Sequence, residues 1–377
     1  MIRGAVVHVV VAGEVGGAER MLVDLATAAG SGGAGRKHSV ALLTPCERLR
    51  SLLRGAGLDV DDRGPGREDA LAYLARTLGP DDCAWISGVI ARRGAAIAHL
   101  HTFGSQVVGT RAALRAGARV VRTEHSTRVY DDPTCWPFSR WSLARADAVV
   151  AISDHVARVA RARAPWLGPK LEVVHNGVDT ARFSPGRLLS TSSSAAAPLR
   201  FVALGRLDRR KGLDVALAAL ARVPGACLDV VGDGGERAFL TALAARLGVG
   251  SRVRFVGWVH DVRPAIDAAD VVLSSARAEG LGIALLEAMA MQRAVVALPT
   301  GGVPEIVIDG ETGWLARGHG ADALARIMQD AVDHPDEVAR RGARARARVI
   351  ERFSIEAMRR GYEAIYARVS DDRRRGG

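Results

Sequence analysis

Glu279 and Glu287 sit on either side of a glycine pair, Gly280 and Gly282, in the stretch SARAEGLGIALLEAMA, residues 275–290. An apolar strand-like run, Ala269–Leu273, ends just before it, and the glycines open a helix near Ile283. A helix start with bare glycines offers free N–H groups and a positive dipole end, which suits an anion. Carboxylate pairs that cleave one glycosidic bond lie ~5–9.5 Å apart. The step from Glu279 to Glu287 rises ~12 Å if it is helical throughout. The two glutamates therefore suit the two ends of one long ligand better than a single bond. One carboxylate would accept from sugar hydroxyls and the other from a ribose, with a diphosphate facing the helix start between them. Taken alone, each could equally be an ordinary loop or helix-surface glutamate.

A second stretch, GRLDRRKG at residues 205–212, also follows a strand-like run. Arg206 offers a forked donor set and Lys211 a mobile point charge, both suited to phosphate oxygens. Together they would neutralise a leaving nucleoside diphosphate without a metal. Arg209 and Arg210 read as solvated charges. A third loop, GEVGG at residues 13–17, carries Gly16 and Gly17. It does not fit GxGxxG, and no acidic ribose partner ends a strand about twenty residues on, which argues against a dinucleotide enzyme. Close approach of its backbone to a phosphate or sugar stays open. His101 in HLHTFGS and His125 in VVRTEHS both follow strand-like segments. His125 could hydrogen-bond a sugar hydroxyl, and His101 and Glu124 are candidates for the acceptor side. A structural role for a lone histidine of this kind is equally open.

These loops need strands and helices to hold them. Ala5–Ala12 is a continuous β-type run, followed by the glycine loop and a helical pattern over Ala18–Ala29. That is the first unit of a doubly wound sheet. Further strands are expected at His38–Leu43, Ala96–Leu100, Arg119–Thr123 and Ala148–Ile152. Then comes RLLSTSSSAAAP, residues 187–198, whose composition suits an exposed connector. The βα rhythm restarts with strands at Arg200–Leu204, Leu228–Val231, Val253–Phe255, Val271–Leu273 and Ala294–Ala297, and a helix at Leu213–Ala221. The reading is α/β, with two facing Rossmann-like domains and ligands at the carboxyl ends of the strands across a central cleft. The expected division is 1–186, 187–355, a terminal helix 356–370 and a disordered tail 371–377.

Bulk composition narrows the classes. The chain has 377 residues and a net charge of +11, most of the excess being arginine. Length favours two domains, since single cores rarely grow past ~250–300 residues. Aromatics make up only 5% and are not interleaved with basic residues, so base-stacking platforms are missing and nucleic acid is not an expected partner. Cys46, Cys83, Cys135 and Cys227 form no CxxC pair and no Cys/His metal spacing, as expected of free thiols in a reducing cytosol. No run looks like a signal peptide or a membrane span. Arg340, Arg341, Arg344, Arg346 and Arg348 form a basic stripe, read as a solvated helix face with membrane docking as the alternative.

The ordered set of motifs resembles the GT4 retaining glycosyltransferases. EGLGIALLEAMA resembles their E-x7-E motif and GRLDRRKG their diphosphate loop. HNGVDTARFSP at His175–Pro185, GGVPEIVIDGETGWLA at Gly301–Ala316 and GGAERML at the amino-terminal glycine loop are also similar. The resemblance spans about residues 6–366. It implies the GT-B fold, a nucleotide-sugar donor with UDP as the default base, retention of anomeric configuration, and no metal or other cofactor. It implies that Arg206 and Lys211 bind the diphosphate and Glu287 the ribose. Glu279 would hold the donor sugar with the backbone of Gly280, Leu281, Gly282 and Ile283. His125 would lie by the sugar, and Gly16 and Gly17 would close over the phosphate. With them, Arg206, Lys211, Glu279 and His125 are the expected catalytic set. The acceptor would be a glycan, a lipid-linked sugar or a small molecule, and the location cytoplasmic or peripheral at the inner membrane face. A sugar-nucleotide epimerase of the same architecture and a non-catalytic sugar-nucleotide-binding protein are the other classes. Transfer that requires an added acceptor separates the first, and the intact Arg206, Lys211, Glu279 and Glu287 set argues against the second.

Overall fold

The computed structural model describes residues 4–13, 15–30, 36–64, 69–186 and 198–375. Most of the connector 187–198 lies outside them, as does Glu14. The chain divides into two compact units, one comprising residues 1–176 and 355–377, the other residues 177–354.

The first unit holds β1 (Ala5–Val11), β2 (His38–Leu43), β3 (Asp59–Asp62), β4 (Ala95–Leu100), β5 (Arg119–Glu124), β6 (Ala148–Ala151) and β7 (Leu171–Val173). They form one sheet in the order β3-β2-β1-β4-β5-β6-β7, and every pairing is parallel. Continuous Val, Ile and Ala runs explain this, because strands covered on both faces need no polar alternation. Two short edge strands, β3 and β7, escaped the periodicity. β3 reads DVDD, and its carboxylates meet arginines: Arg93 reaches Asp59 at 2.6 Å and Asp61 at 2.8 Å, and Arg50 reaches Asp62 at 2.8 Å. Charge on an edge strand blocks pairing with another chain.

The second unit holds β8 (Leu199–Leu204), β9 (Ala226–Val231), β10 (Val253–Gly257), β11 (Val271–Ser274), β12 (Ala294–Ala297) and β13 (Gly313–Leu315), in the parallel order β10-β9-β8-β11-β12-β13. Here β13 was the strand missed. Its apolar core packs Phe201, Leu217, Leu228, Val271 and Val296 against Trp314 and Met328.

The division falls at Asn176 rather than at residue 186. Residues 177–186 pack on the second unit: the Val178 amide donates to Phe353 O at 2.9 Å, and Arg346 donates to Phe183 O at 3.1 Å. The last helix, Ile355–Arg375, belongs to the first unit. It runs through residues 371–375, where a disordered tail was expected, and residues 376–377 lie outside the description.

The arginine stripe lies on the helix Pro335–Arg352, and it is not a free basic face. Arg341 stacks 3.9 Å over the Trp314 ring and donates to Gly313 O, Arg346 donates to Ala290 O, and Arg348 donates to Glu305 O at 2.7 Å. Guanidinium forks here satisfy carbonyls at loop and helix ends. The spacing of the arginines showed a stripe, but not that three of its members point inward. No described helix is long and apolar enough to cross a membrane.

Candidate active site

In the second sheet the strand order reverses between β8 and β11, which pair in parallel. Ligands of doubly wound sheets sit outside the carboxyl ends of the strands at such a switch point. The loop after β8 is residues 205–212 and the loop after β11 is residues 275–282, so two motifs some way apart in sequence emerge side by side.

The two loops are laced together. The Arg277 amide donates to Arg210 O at 2.7 Å, and Ser275 Oγ donates to Lys211 O at 3.0 Å. Arg277 also clamps Asp214 with two bonds, at 2.7 and 2.6 Å. The bonds from Arg277 hold the Asp214 carboxyl below its usual range. Glycine is required at the closest approaches. A Cβ on Gly212, whose φ is +61°, would lie 2.1 Å from Ser275 O. A Cβ on Gly301, at φ +60°, would lie 1.7 Å from Glu279 O. Only glycine tolerates both the left-handed backbone and the contact.

This lacing brings Lys211 Nζ to 2.6 Å from Glu279 Oε2. Both side chains are part-exposed, at 31% and 19%. Arg206 is half-exposed beside them in sequence, its Nε donating to Asp208 at 3.1 Å. The helix Ile283–Ala290 begins directly after Gly282, which has φ +104°. Glu287 is on the second turn of that helix and is buried, so it is not the helix-surface glutamate that sequence alone left open. Cations, a carboxylate and a helix start thus share one loop pair, and a second carboxylate lies on that helix. That arrangement can hold an anion flanked by hydroxyl-bearing groups.

The candidates in the first unit fall in two groups. Gly16 and Gly17 open the helix Gly17–Gly30, where the Gly16 amide donates to Glu19 Oε2 at 2.8 Å. His101 and His125 follow β4 and β5, and their rings lie 5.7 Å apart. Glu124 is different: it is buried in an ion pair with Arg122, which also reaches Ser139 O at 3.1 Å. It is committed inside the protein. The structure does not bring it out with the two histidines.

Two profiles match the chain. The model described as Glycosyltransferase Family 4 covers residues 15–182, and that described as Glycosyl transferases group 1 covers residues 192–348. The lipopolysaccharide core biosynthesis glycosyltransferase LpsE of Rhizobium meliloti is 33% identical over 64% of this chain and 69% of its own length. The alpha-maltose-1-phosphate synthase of Mycolicibacterium smegmatis is 31% identical over 73% of this chain and 80% of its own. The chain belongs to the GT4-type glycosyltransferases. HepE of Anabaena, solved with UDP, superposes with a TM-score of 0.80 over 96% of this chain and 99% of that one, at 22% identity. Sucrose-phosphate synthase of Thermosynechococcus elongatus gives 0.80 over 97% and 99%, at 23% identity. These likenesses establish the fold as GT-B, two parallel-sheet α/β domains.

One feature of this glycosyltransferase was not read from its sequence. His8, His38 and His99 lie within strands of the first sheet, and with His101 they form a buried group under the terminal helix. His8 Nδ1 is 2.8 Å from His101 Nε2, and His8 Nε2 is 2.7 Å from His38 Nδ1. His99 Nδ1 meets the Tyr366 hydroxyl at 2.7 Å, and Nε2 meets Thr123 Oγ1 at 2.7 Å. Burial, then the neighbouring imidazoles, holds His8, His99 and His101 well below the usual imidazole range. Burial alone brings His125 down to about 4. A histidine inside AVVHVVV was the available signal, since such a strand has no solvent face for it.

Proposed function

We propose that this glycosyltransferase takes a sugar from a nucleoside-diphosphate sugar and transfers it to an acceptor hydroxyl with retention of configuration, without a metal. The observation that carries the reading is the Lys211–Glu279 contact at the start of the helix Ile283–Ala290. In the free protein the two side chains hold each other. A bound donor would separate them, its diphosphate taking Lys211 and its sugar hydroxyls Glu279. Arg206 would supply the second positive charge on the phosphates, and Glu287 would accept from the ribose. Two fixed cations and the helix start match the charge that builds on a departing diphosphate, which is the task a divalent ion performs elsewhere. HepE was solved with UDP and with UDP-glucose, and a mannosyltransferase of Mycolicibacterium smegmatis, 36% identical over 62% of this chain, is named GDP-mannose-dependent. Both names fit a nucleoside diphosphate here, with UDP as the first base to try.

In the transfer step the bond from the anomeric carbon to the phosphate oxygen breaks. A bond from the acceptor oxygen to the same face of that carbon forms. The acceptor proton passes to a leaving phosphate oxygen, so no protein nucleophile is needed. Acceleration comes from positioning and charge stabilisation. The acceptor is a glycan, a lipid-linked sugar or a small molecule.

A panel of UDP- and GDP-sugars, scored by thermal stabilisation, finds the donor, because a ligand of the folded state raises the melting midpoint. Transfer is then followed in EDTA, and the product anomer is read by proton NMR. An inverted product, or activity abolished by EDTA, would overturn the mechanism.

A further inference from the structure

The histidines under the terminal helix have a direction built into them. His101, His8 and His38 form an unbroken chain of two hydrogen bonds, at 2.8 and 2.7 Å. Each bond between neutral imidazoles uses one N–H and one lone pair, so fixing one ring fixes the next. The far end faces a charge, to which His38 Nε2 makes no hydrogen bond. His38 Nε2 lies 3.9 Å from Glu363 Oε1, and Arg36 Nε lies 3.6 Å from Glu363 Oε2. A carboxylate beside a guanidinium stays ionised, and it favours an N–H rather than a lone pair on the ring nitrogen facing it. His38 then carries its proton on Nε2 and accepts at Nδ1. His8 donates from Nε2 and accepts at Nδ1. His101 donates from Nε2 and is left with a bare lone pair on Nδ1. That atom is buried and has no hydrogen-bond partner. His101 itself is 3% exposed and immediately follows β4, at the switch point between β1 and β4.

We propose that Glu363, His38 and His8 are positioning residues that hold His101 as an acceptor for a substrate hydroxyl at the carboxyl edge of the first sheet. The assignment of that hydroxyl to a sugar or an acceptor rests on the reading of the enzyme given above. Burial keeps His8 and His101 neutral, so the bare nitrogen is not lost to a proton near neutral pH. The groups facing His38 are Glu363, Arg36, His8 and the Tyr366 ring at 6.0 Å. A small cation is the competing occupant, since ligating atoms of His8, His99 and His101 lie within 4.8 Å of one another. Both ring nitrogens of His8 and of His99 are already in hydrogen bonds, so a metal would have to break the network.

The test is nitrogen-15 NMR of full-length protein labelled at histidine, at pH 8. The expected spectrum shows His101 protonated at Nε2 only. In the Glu363→Gln variant, whose amide no longer selects one tautomer, a second set of His101 signals appears. A proton on His101 Nδ1 in the wild type, an unchanged spectrum in the variant, or stoichiometric zinc retained through purification would each overturn the relay. Kinetics with the donor found by the panel above, and an acceptor found by screening glycans and small molecules with that donor, then identify the hydroxyl. Glu363→Gln should raise one KM about twofold, the inverse of the fraction of His101 left in the accepting tautomer, with kcat little changed. A shift in the donor KM marks a donor hydroxyl and a shift in the acceptor KM an acceptor hydroxyl. If neither moves, the substrate contact is refuted while the relay stands. If no sugar nucleotide is turned over by the wild type, the functional reading fails, and the tautomers remain as measured.

Discussion

The two sheets carry their polar groups in opposite ways. In the second unit the ionisable groups on the two loops of the candidate site are part-exposed and paired, Lys211 with Glu279 and Arg206 with Asp208. In the first unit they are buried imidazoles and phenols in two hydrogen-bonded chains, one from His101 through His8 to His38 beside Glu363, the other from Tyr366 through His99 and Thr123 to Tyr362. The difference teaches which probe reads each region. The loops of the second unit answer to charge removal and salt. The network of the first answers to proton count.

The sharpest way to break this contrast is Lys211→Ala. It removes a charge aimed at the leaving group, and the rate of transfer should fall on the order of 10²–10³-fold. The melting temperature should stay near that of the wild type, because the side chain is 31% exposed and its ion pair is weak. Wild-type turnover would refute the assignment of Lys211.

Gly301→Ala tests whether the loops must touch. The new methyl would lie 1.7 Å from Glu279 O at a left-handed backbone. Loss of ~2 kcal/mol or more in urea unfolding is expected. A variant as stable as the wild type would show that the lacing has slack.

Acid should affect the first unit. Histidines with depressed folded values bind protons when unfolded but not when folded. For His125 the window runs from the ordinary imidazole value of 6.5 down to about 4. Within it the unfolded state holds more protons, so stability rises with pH and is lost as pH falls through the window. Each such group contributes up to ~1.4 kcal/mol per pH unit. His8, His99 and His101 shift in the same direction, so the slope should be steep. Urea midpoints between pH 7 and pH 5 check this, and His125→Asn should flatten the slope by one group. A flat profile would mean that the network takes up protons without opening.

The smallest effect is expected from Arg209→Ala, on the same loop as Lys211 but exposed. Its stability should stay within about 0.5 kcal/mol. A large loss of activity would extend the phosphate-binding set beyond Arg206 and Lys211.

Sequence alone determined the parallel βα order, the strands of the sheet interiors, the helix near Ile283 and the two charged loops. These are local matters: apolar runs, glycine punctuation and charge at fixed offsets. Short edge strands such as Asp59–Asp62 stayed hidden because one valine among three aspartates gives no period. Three things were decided only by tertiary structure. Reversal of strand order at β8 and β11 brought Lys211 to Glu279. Packing turned Arg341, Arg346 and Arg348 inward to carbonyls and committed Glu124 to Arg122. Return of the last helix to the first sheet set Glu363 and Tyr366 beside histidines more than two hundred residues away, as the 267-residue separation of His99 and Tyr366 shows. No window along the chain holds both partners of such a contact, so its chemistry exists only once the sheet and the helix have met.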